Sequence, residues 1–139
     1  MLPAHLVTNE VKNIAGTEVQ YNRIRNSERE VVYEYESVSP SLPDRITVTH
    51  EEVGQGTKKR RRSRVRVDFT TAGEVDTATP APCVANLSLD IPIGNITELD
   101  IAKQCLARLL SFCASTGADT TVKYDCTGTG AAALVSGSL

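Results

Sequence analysis

The sequence predicts an α+β fold: an N-terminal β-hairpin, an antiparallel sheet of about five strands, and one C-terminal helix. Three observations predict it. Three segments alternate apolar and polar residues with the period of two that marks a strand buried on one face. After Ile91-Pro92-Ile93 the apolar residues recur at spacings of three and four, the period of an amphipathic helix. Between the alternating segments lie short stretches with glycine or proline, which punctuate hairpins.

At 139 residues the chain is the size of one domain, with a hairpin over about 5–24, a sheet over about 30–93, a helix over about 98–115 and an irregular segment over 117–139. Residues 5–12 and 17–24 flank the turn-like Asn13-Ile14-Ala15-Gly16, and residues 30–37 are rich in Val and Tyr. Over 45–51, Ile46, Val48 and His50 share one side, opposite Arg45, Thr47, Thr49 and Glu51. Over 60–69, Val65, Val67 and Phe69 oppose Arg60, Arg62, Arg64, Arg66 and Asp68. Over 84–93, Ala85, Leu87, Leu89 and Ile91 oppose Asn86, Ser88 and Asp90. Such strands build a sheet with one buried and one wet face.

In the helix, Thr97 is the expected N-cap, and Leu99, Ala102, Leu106, Leu109, Leu110 and Cys113 form the apolar stripe. Thr120, Thr121 and Val122 disfavour helix, and residues 127–139 are a small-residue tail expected to be partly mobile. Two loops connect the strands. Residues 52–57, with Gly54 and Gly56, form a hairpin connection; residues 70–82, with Gly73, Pro80 and Pro82, form a longer loop that either moves or touches a neighbour.

Five strands at about 4.8 Å spacing span roughly 20 Å or more, whereas a helix is about 10–12 Å wide. One helix cannot cover that face. The simplest cover is the helix of a second copy, which predicts a homodimer with Leu99, Ala102, Leu106, Leu109 and Leu110 at its interface. The alternative is that the N-terminal hairpin or residues 119–126 fold over the gap.

Composition excludes several classes. Residues 1–10 lack the features of a signal peptide, and no apolar stretch approaches the roughly 18 residues of a membrane span, so a soluble protein made in the cytosol is expected. Cys83, Cys105, Cys113 and Cys126 form no Cys-x-x-Cys and have no histidine nearby, so they are expected to be thiols and not zinc ligands. His5 and His50 stand in strand-like contexts, His50 facing the core, and no phosphate loop or nucleophile elbow occurs. The chain is not expected to be an enzyme or to need a cofactor.

Charge is informative by position. The net charge is only −2, yet Lys58, Lys59, Arg60, Arg61, Arg62, Arg64 and Arg66 place seven cations within nine residues. Such a run is commonly just a solvated face. Here the strand period sorts Arg60, Arg62, Arg64 and Arg66 onto one face about 6–7 Å apart, a regular row of donors for RNA phosphates. Glu51, Asp68 and Asp90 share that face and are placed to pair with some of these arginines.

The order of hairpin, antiparallel strands, long loop and helix resembles the coat proteins of the leviviruses. The wording that carries the resemblance is Asn86-Leu87-Ser88-Leu89-Asp90-Ile91-Pro92-Ile93, then Thr97-Glu98-Leu99 and Leu109-Leu110, with Arg45-Ile46-Thr47-Val48-Thr49 and the strand over 60–69 upstream. It covers about residues 45–115. It implies dimers assembling into a T=3 icosahedral shell in the bacterial host cytoplasm, with single-stranded genomic RNA on the wet face and loop 70–82 lining the symmetry axes. It also implies an RNA hairpin, bound as a translational repressor binds it, by Thr47, Thr49, Arg64, Arg66 and Asn86. Relatives that cross-link their loops use two cysteines per loop, whereas only Cys83 stands near this one. The competing function is a dimeric RNA-binding regulator that does not assemble.

Overall fold

A computed structural model describes residues 1–35, 39–117 and 121–138. Glu36 and Ser37 of the expected third strand, and Asp119, Thr120 and Leu139 of the C-terminal segment, lie outside the described residues. The chain divides into two compact units, Met1–Val11 with Val19–Ile96, and Lys12–Glu18 with Thr97–Leu139.

The first unit is an antiparallel sheet of six strands in chain order: β1 (His5–Leu6), β2 (Tyr21–Asn26), β3 (Glu30–Tyr35), β4 (Asp44–Val53), β5 (Arg60–Ala72) and β6 (Pro80–Ile91). The extra strand over the expected five is β1, which pairs only His5 with Asn22 and Leu6 with Tyr21. β4 and β5 stay in register from Asp44↔Phe69 to Val53↔Arg60, and β5 and β6 from Arg61↔Ile91 to Ala72↔Pro80. The second pairing corrects the long loop. Thr70, Thr71 and Ala72 continue β5, so the connection shrinks to residues 73–79. β-Branched threonines favour extended backbone, and Pro80 and Pro82 are tolerated because β6 is an edge strand.

That short loop is internally bonded. Gly73 N–H donates to Thr79 O at 3.1 Å, while the Asp76 carboxylate accepts from Thr79 Oγ1 at 2.6 Å and from Ala78 N–H at 3.1 Å. Gly73 is required there, since a Cβ would stand 2.3 Å from Asp76 O.

The core of the sheet is Tyr21, Tyr33 and Ile46, with Val31, Tyr35, Val48, Val65 and Val67 packed against it. Burial falls toward β6: in the cross-strand row Ile46, Val67, Ala85 the residues are buried, half-buried and exposed in turn. Phe69 is 51 % exposed on the same side. His50 also corrects an expectation. It has the parity of the apolar face but is exposed, with Nδ1 2.8 Å from Ser63 Oγ, because the face turns polar toward that end.

The second unit holds α1 (Asp100–Ala114), α2 (Thr129–Ser136) and the tip of the N-terminal hairpin. At the tip, the Asn13 side-chain oxygen accepts from Ala15 and Thr17 N–H, and Gly16 adopts φ +80°. Lys12 Nζ stands 5.5 Å from the centre of the Tyr124 ring. α1 begins later than the expected Thr97 cap: the N-cap is Leu99, which makes no side-chain cap bond, and Asp100 sits in the first turn where its charge suits the helix dipole.

α2 corrects the expectation of an irregular tail. Gly128 and Gly130, which argue against helix by propensity, are its contact surface: a Cβ at Gly130 would lie 2.2 Å from Phe112 O, and one at Gly128 would lie 2.8 Å from Cys113 O. The close approach of α2 to α1 supplies what propensity does not. Gly137, at φ 71°, ends the helix by donating its N–H to Ala133 O.

Candidate nucleic-acid interface

The wet face of the sheet is built by period-two parity and by register. Along β5, Arg60, Arg62, Arg64 and Arg66 are exposed while Arg61, Ser63, Val65 and Val67 between them are half-buried. The fifth arginine of the run therefore leaves the row: Arg61 lies on the other face, where it donates to Glu52 Oε1 at 3.1 Å. Lys59 Nζ also reaches Glu52, at 2.8 Å, and the two cations hold the Glu52 carboxyl below its usual range.

Register then assembles the remaining candidates. Thr47, Arg66 and Asn86 are direct cross-strand neighbours, and Thr49, Arg64 and Ser88 form the next row. All five residues matched to a base-binding pocket stand in these two adjacent rows. Neighbours within a row have Cβ atoms about 4.5–5.5 Å apart, and the rows are about 6–7 Å apart. Among the described residues, Thr47, Thr49, Asn86 and Ser88 make no side-chain hydrogen bond, so their hydroxyls and amide are open to a ligand.

Two members of this surface, Ser88 and Arg25, stand outside the residues singled out from the sequence. Ser88 has the right alternation but carries no charge to single it out. Arg25 was hidden by a β-bulge between Arg23 and Arg25, which brings it opposite Val32, itself paired with Thr47. Arg25 forms an ion pair with Glu30. A bulge of one residue inverts the parity of every residue beyond it in the strand, and nothing in the local sequence marks it.

The charges of the row are unequal. Asp90 takes Arg60 Nε at 2.7 Å on Oδ1 and Arg62 Nε at 3.6 Å on Oδ2, while Asp68 accepts from Arg66 Nε at 2.9 Å and Nη2 at 2.7 Å. The Asp68 bond raises the pKa of Arg66. Among the described residues Arg64 has no carboxylate partner, and Glu51, the strand partner of Arg62, has no cation partner.

The apolar candidates on α1 divide. Ala102 is buried and Leu106 half-buried, whereas Leu99, Leu109 and Leu110 are 49 %, 43 % and 51 % exposed. Ile101 and Phe112, outside the expected stripe, are also largely exposed. Among the described residues no group of His, Cys, Asp or Glu is arranged to hold a metal ion, and no helix is long and apolar enough to cross a membrane. Cys83, Cys105, Cys113 and Cys126 are free thiols.

No protein-family model matches the sequence, and no curated protein matches it. Solved structures do. The coat protein of bacteriophage EMS014 is similar at TM-score 0.66, with 14 % identity over 87 % of each chain. The capsid protein of bacteriophage GA is similar at TM-score 0.57, with 19 % identity over 97 % of this chain and 95 % of that one. The chain has the levivirus coat-protein fold. A virus-like particle of Wenzhou levi-like virus 4 shares this fold at TM-score 0.54, with 17 % identity over 67 % of this chain and 66 % of that one. Within the levivirus coat-protein fold of this chain, the arginine row lies at the centre of the exposed face of β4, β5 and β6.

Proposed function

We propose that this chain is the coat subunit of a single-stranded RNA bacteriophage. Two copies form a homodimer, dimers close a T=3 icosahedral shell in the host cytoplasm, and the face bearing Arg60, Arg62, Arg64 and Arg66 turns inward onto the packaged genome. The single observation that carries this reading is the sorting of four arginines onto one exposed sheet face in a fold shared with coat proteins and virus-like particles.

Physical chemistry supports the dimer and the RNA-facing surface. Phe69 and the α1 residues Leu99, Ile101, Leu109, Leu110 and Phe112 leave apolar surface uncovered in one chain. Covering it with a second copy removes that surface from water at roughly 25 cal/mol per Å². Guanidinium groups bind phosphate oxygens in bidentate fashion and can stack on unpaired bases, so the row suits single-stranded RNA. Thr47, Thr49 and Asn86 beside Arg64 and Arg66 offer donors and acceptors for the edge of an unstacked base, the chemistry needed to hold an RNA hairpin and act as a translational repressor.

Electron microscopy of the purified protein, with nuclease treatment and measurement of the retained RNA, tests the reading. Closed particles that protect RNA are expected. A dimer that binds RNA and never forms particles would favour the non-assembling regulator instead.

A further inference from the structure

The arginine row carries its own counter-ions, and their placement is selective. Asp90 lies between Arg60 and Arg62, with Oδ1 2.7 Å from one Nε and Oδ2 3.6 Å from the other. Asp68 grips Arg66 through two guanidinium nitrogens, at 2.9 and 2.7 Å. The remaining cation, Arg64, stands between Thr49 and Ser88, whose hydroxyls are unengaged among the described residues.

Taking the wet face as an RNA-binding surface, we infer that Asp68 and Asp90 are specificity-determining residues: they screen three of the four arginines, and Arg64 with the Thr49 and Ser88 hydroxyls is the primary phosphate contact. A phosphate approaching Arg60 or Arg66 meets a carboxylate already hydrogen-bonded to the guanidinium, and one approaching Arg62 meets the Asp90 carboxylate in an ion pair at 3.6 Å. It must displace that carboxylate or bind beside a like charge. Among the described residues no carboxylate competes at Arg64, and two hydroxyls can donate to the phosphate oxygens the guanidinium leaves free.

The pairs are weak enough to yield. The arginine side chains are about half-exposed, and ion pairs open to solvent are individually weak. The carboxylates therefore lower affinity for RNA in general without blocking it, and they leave more of the discrimination to groups that read bases. Because a cation already neutralised by a carboxylate recruits fewer phosphates, the screened arginines contribute less to the salt dependence of binding.

The test is the log–log salt slope for full-length subunits, freed of nucleic acid, binding a fluorescein-labelled oligouridine. Arg64→Gln is expected to reduce the slope by about 0.7, the value of one phosphate contact on a single strand, and by more than Arg60→Gln or Arg66→Gln. Asp68→Asn and Asp90→Asn, which keep shape and remove charge, are each expected to steepen the slope and to tighten binding up to about five-fold. Equal losses from every arginine variant, with no gain from either asparagine variant, would overturn the screening while leaving the RNA face intact. Slopes unmoved by any arginine variant would overturn both.

Discussion

Tyr21 and Asp44 are joined by a 2.7 Å hydrogen bond in which the phenol donates to Asp44 Oδ1. They are only 4 % and 6 % exposed. The bond ties β2 to β4 across the intervening β3. Burial raises the pKa of the Asp44 carboxyl, and the Tyr21 bond, which favours its charged form, offsets only part of that. Burial, together with the Asp44 bond, also pushes the Tyr21 phenol up, so it remains a donor.

The pH dependence has a definite sign. A folded state that holds the proton more tightly than the unfolded chain draws stability from Asp44 that is complete below the usual value of 3.8 and is lost as pH rises through the raised one. Asp44→Asn keeps an acceptor for Tyr21 and has no proton to lose. Its melting temperature relative to the unmodified protein should therefore climb as pH is raised from about 4 to 7. A difference that stays constant across the range would show that Asp44 does not change protonation on folding.

The sheet was legible because its strands are half-buried and long. Between Arg60 and Phe69 the alternation of charge and apolar residue leaves one register that keeps Val65 and Val67 against the core, and β5 adopts it. The charged candidates were legible for the same reason: parity sorts them. What escaped lies where a local rule yields to packing. Gly128 and Gly130 look like breakers until α1 is beside them; the bulge near Ile24 reverses parity without a sequence mark; and Thr70 to Ala72 look like loop until β6 supplies their partners. The best available signal for α2 was Ala131-Ala132-Ala133-Leu134 ahead of Gly137, good helix formers followed by a C-terminal glycine.

Gly130→Ala separates propensity from packing. Alanine in place of a helical glycine is worth about 0.8–1.0 kcal/mol in favour of helix. Here its methyl would stand 2.2 Å from Phe112 O and 2.7 Å from the Phe112 ring, a backbone clash that requires the helices to part. Overpacking costs about 1–3 kcal/mol, so the net effect should be a loss of stability, read as a lower denaturant midpoint. A gain would mean that α2 does not pack on α1 as closely as this.

Leu106→Asp and Leu109→Asp test the proposed interface. Leu106 is half-buried and Leu109 is 43 % exposed in one chain. If a second copy covers both, either carboxylate is buried without a partner, at a cost above about 3 kcal/mol. Dimers and particles should then disappear together in sizing and light scattering. Recovery of the unmodified chain as a stable, folded monomer at micromolar concentration would contradict the dimer.

Thr47 and Asn86 test whether the face reads bases as well as holding phosphates. They flank Arg66 in one cross-strand row, and neither is charged, so neither adds to general attraction for RNA. Their hydroxyl and amide can instead meet the edge of an unstacked base while Arg66 or Arg64 clamps the adjoining phosphate. The preferred hairpin is first selected from the RNA that the particles retain. Thr47→Ala or Asn86→Ala should then weaken that hairpin by about 1–3 kcal/mol, the scale of leaving a buried polar group without its partner. Binding to bulk RNA, which depends on charge, should stay almost unchanged. The bland alternative is that both residues are merely the polar side of a half-exposed sheet, in which case neither substitution affects either RNA. Equal losses on the selected hairpin and on unrelated RNA in a filter-binding assay would show that these side chains position the backbone and do not discriminate between bases.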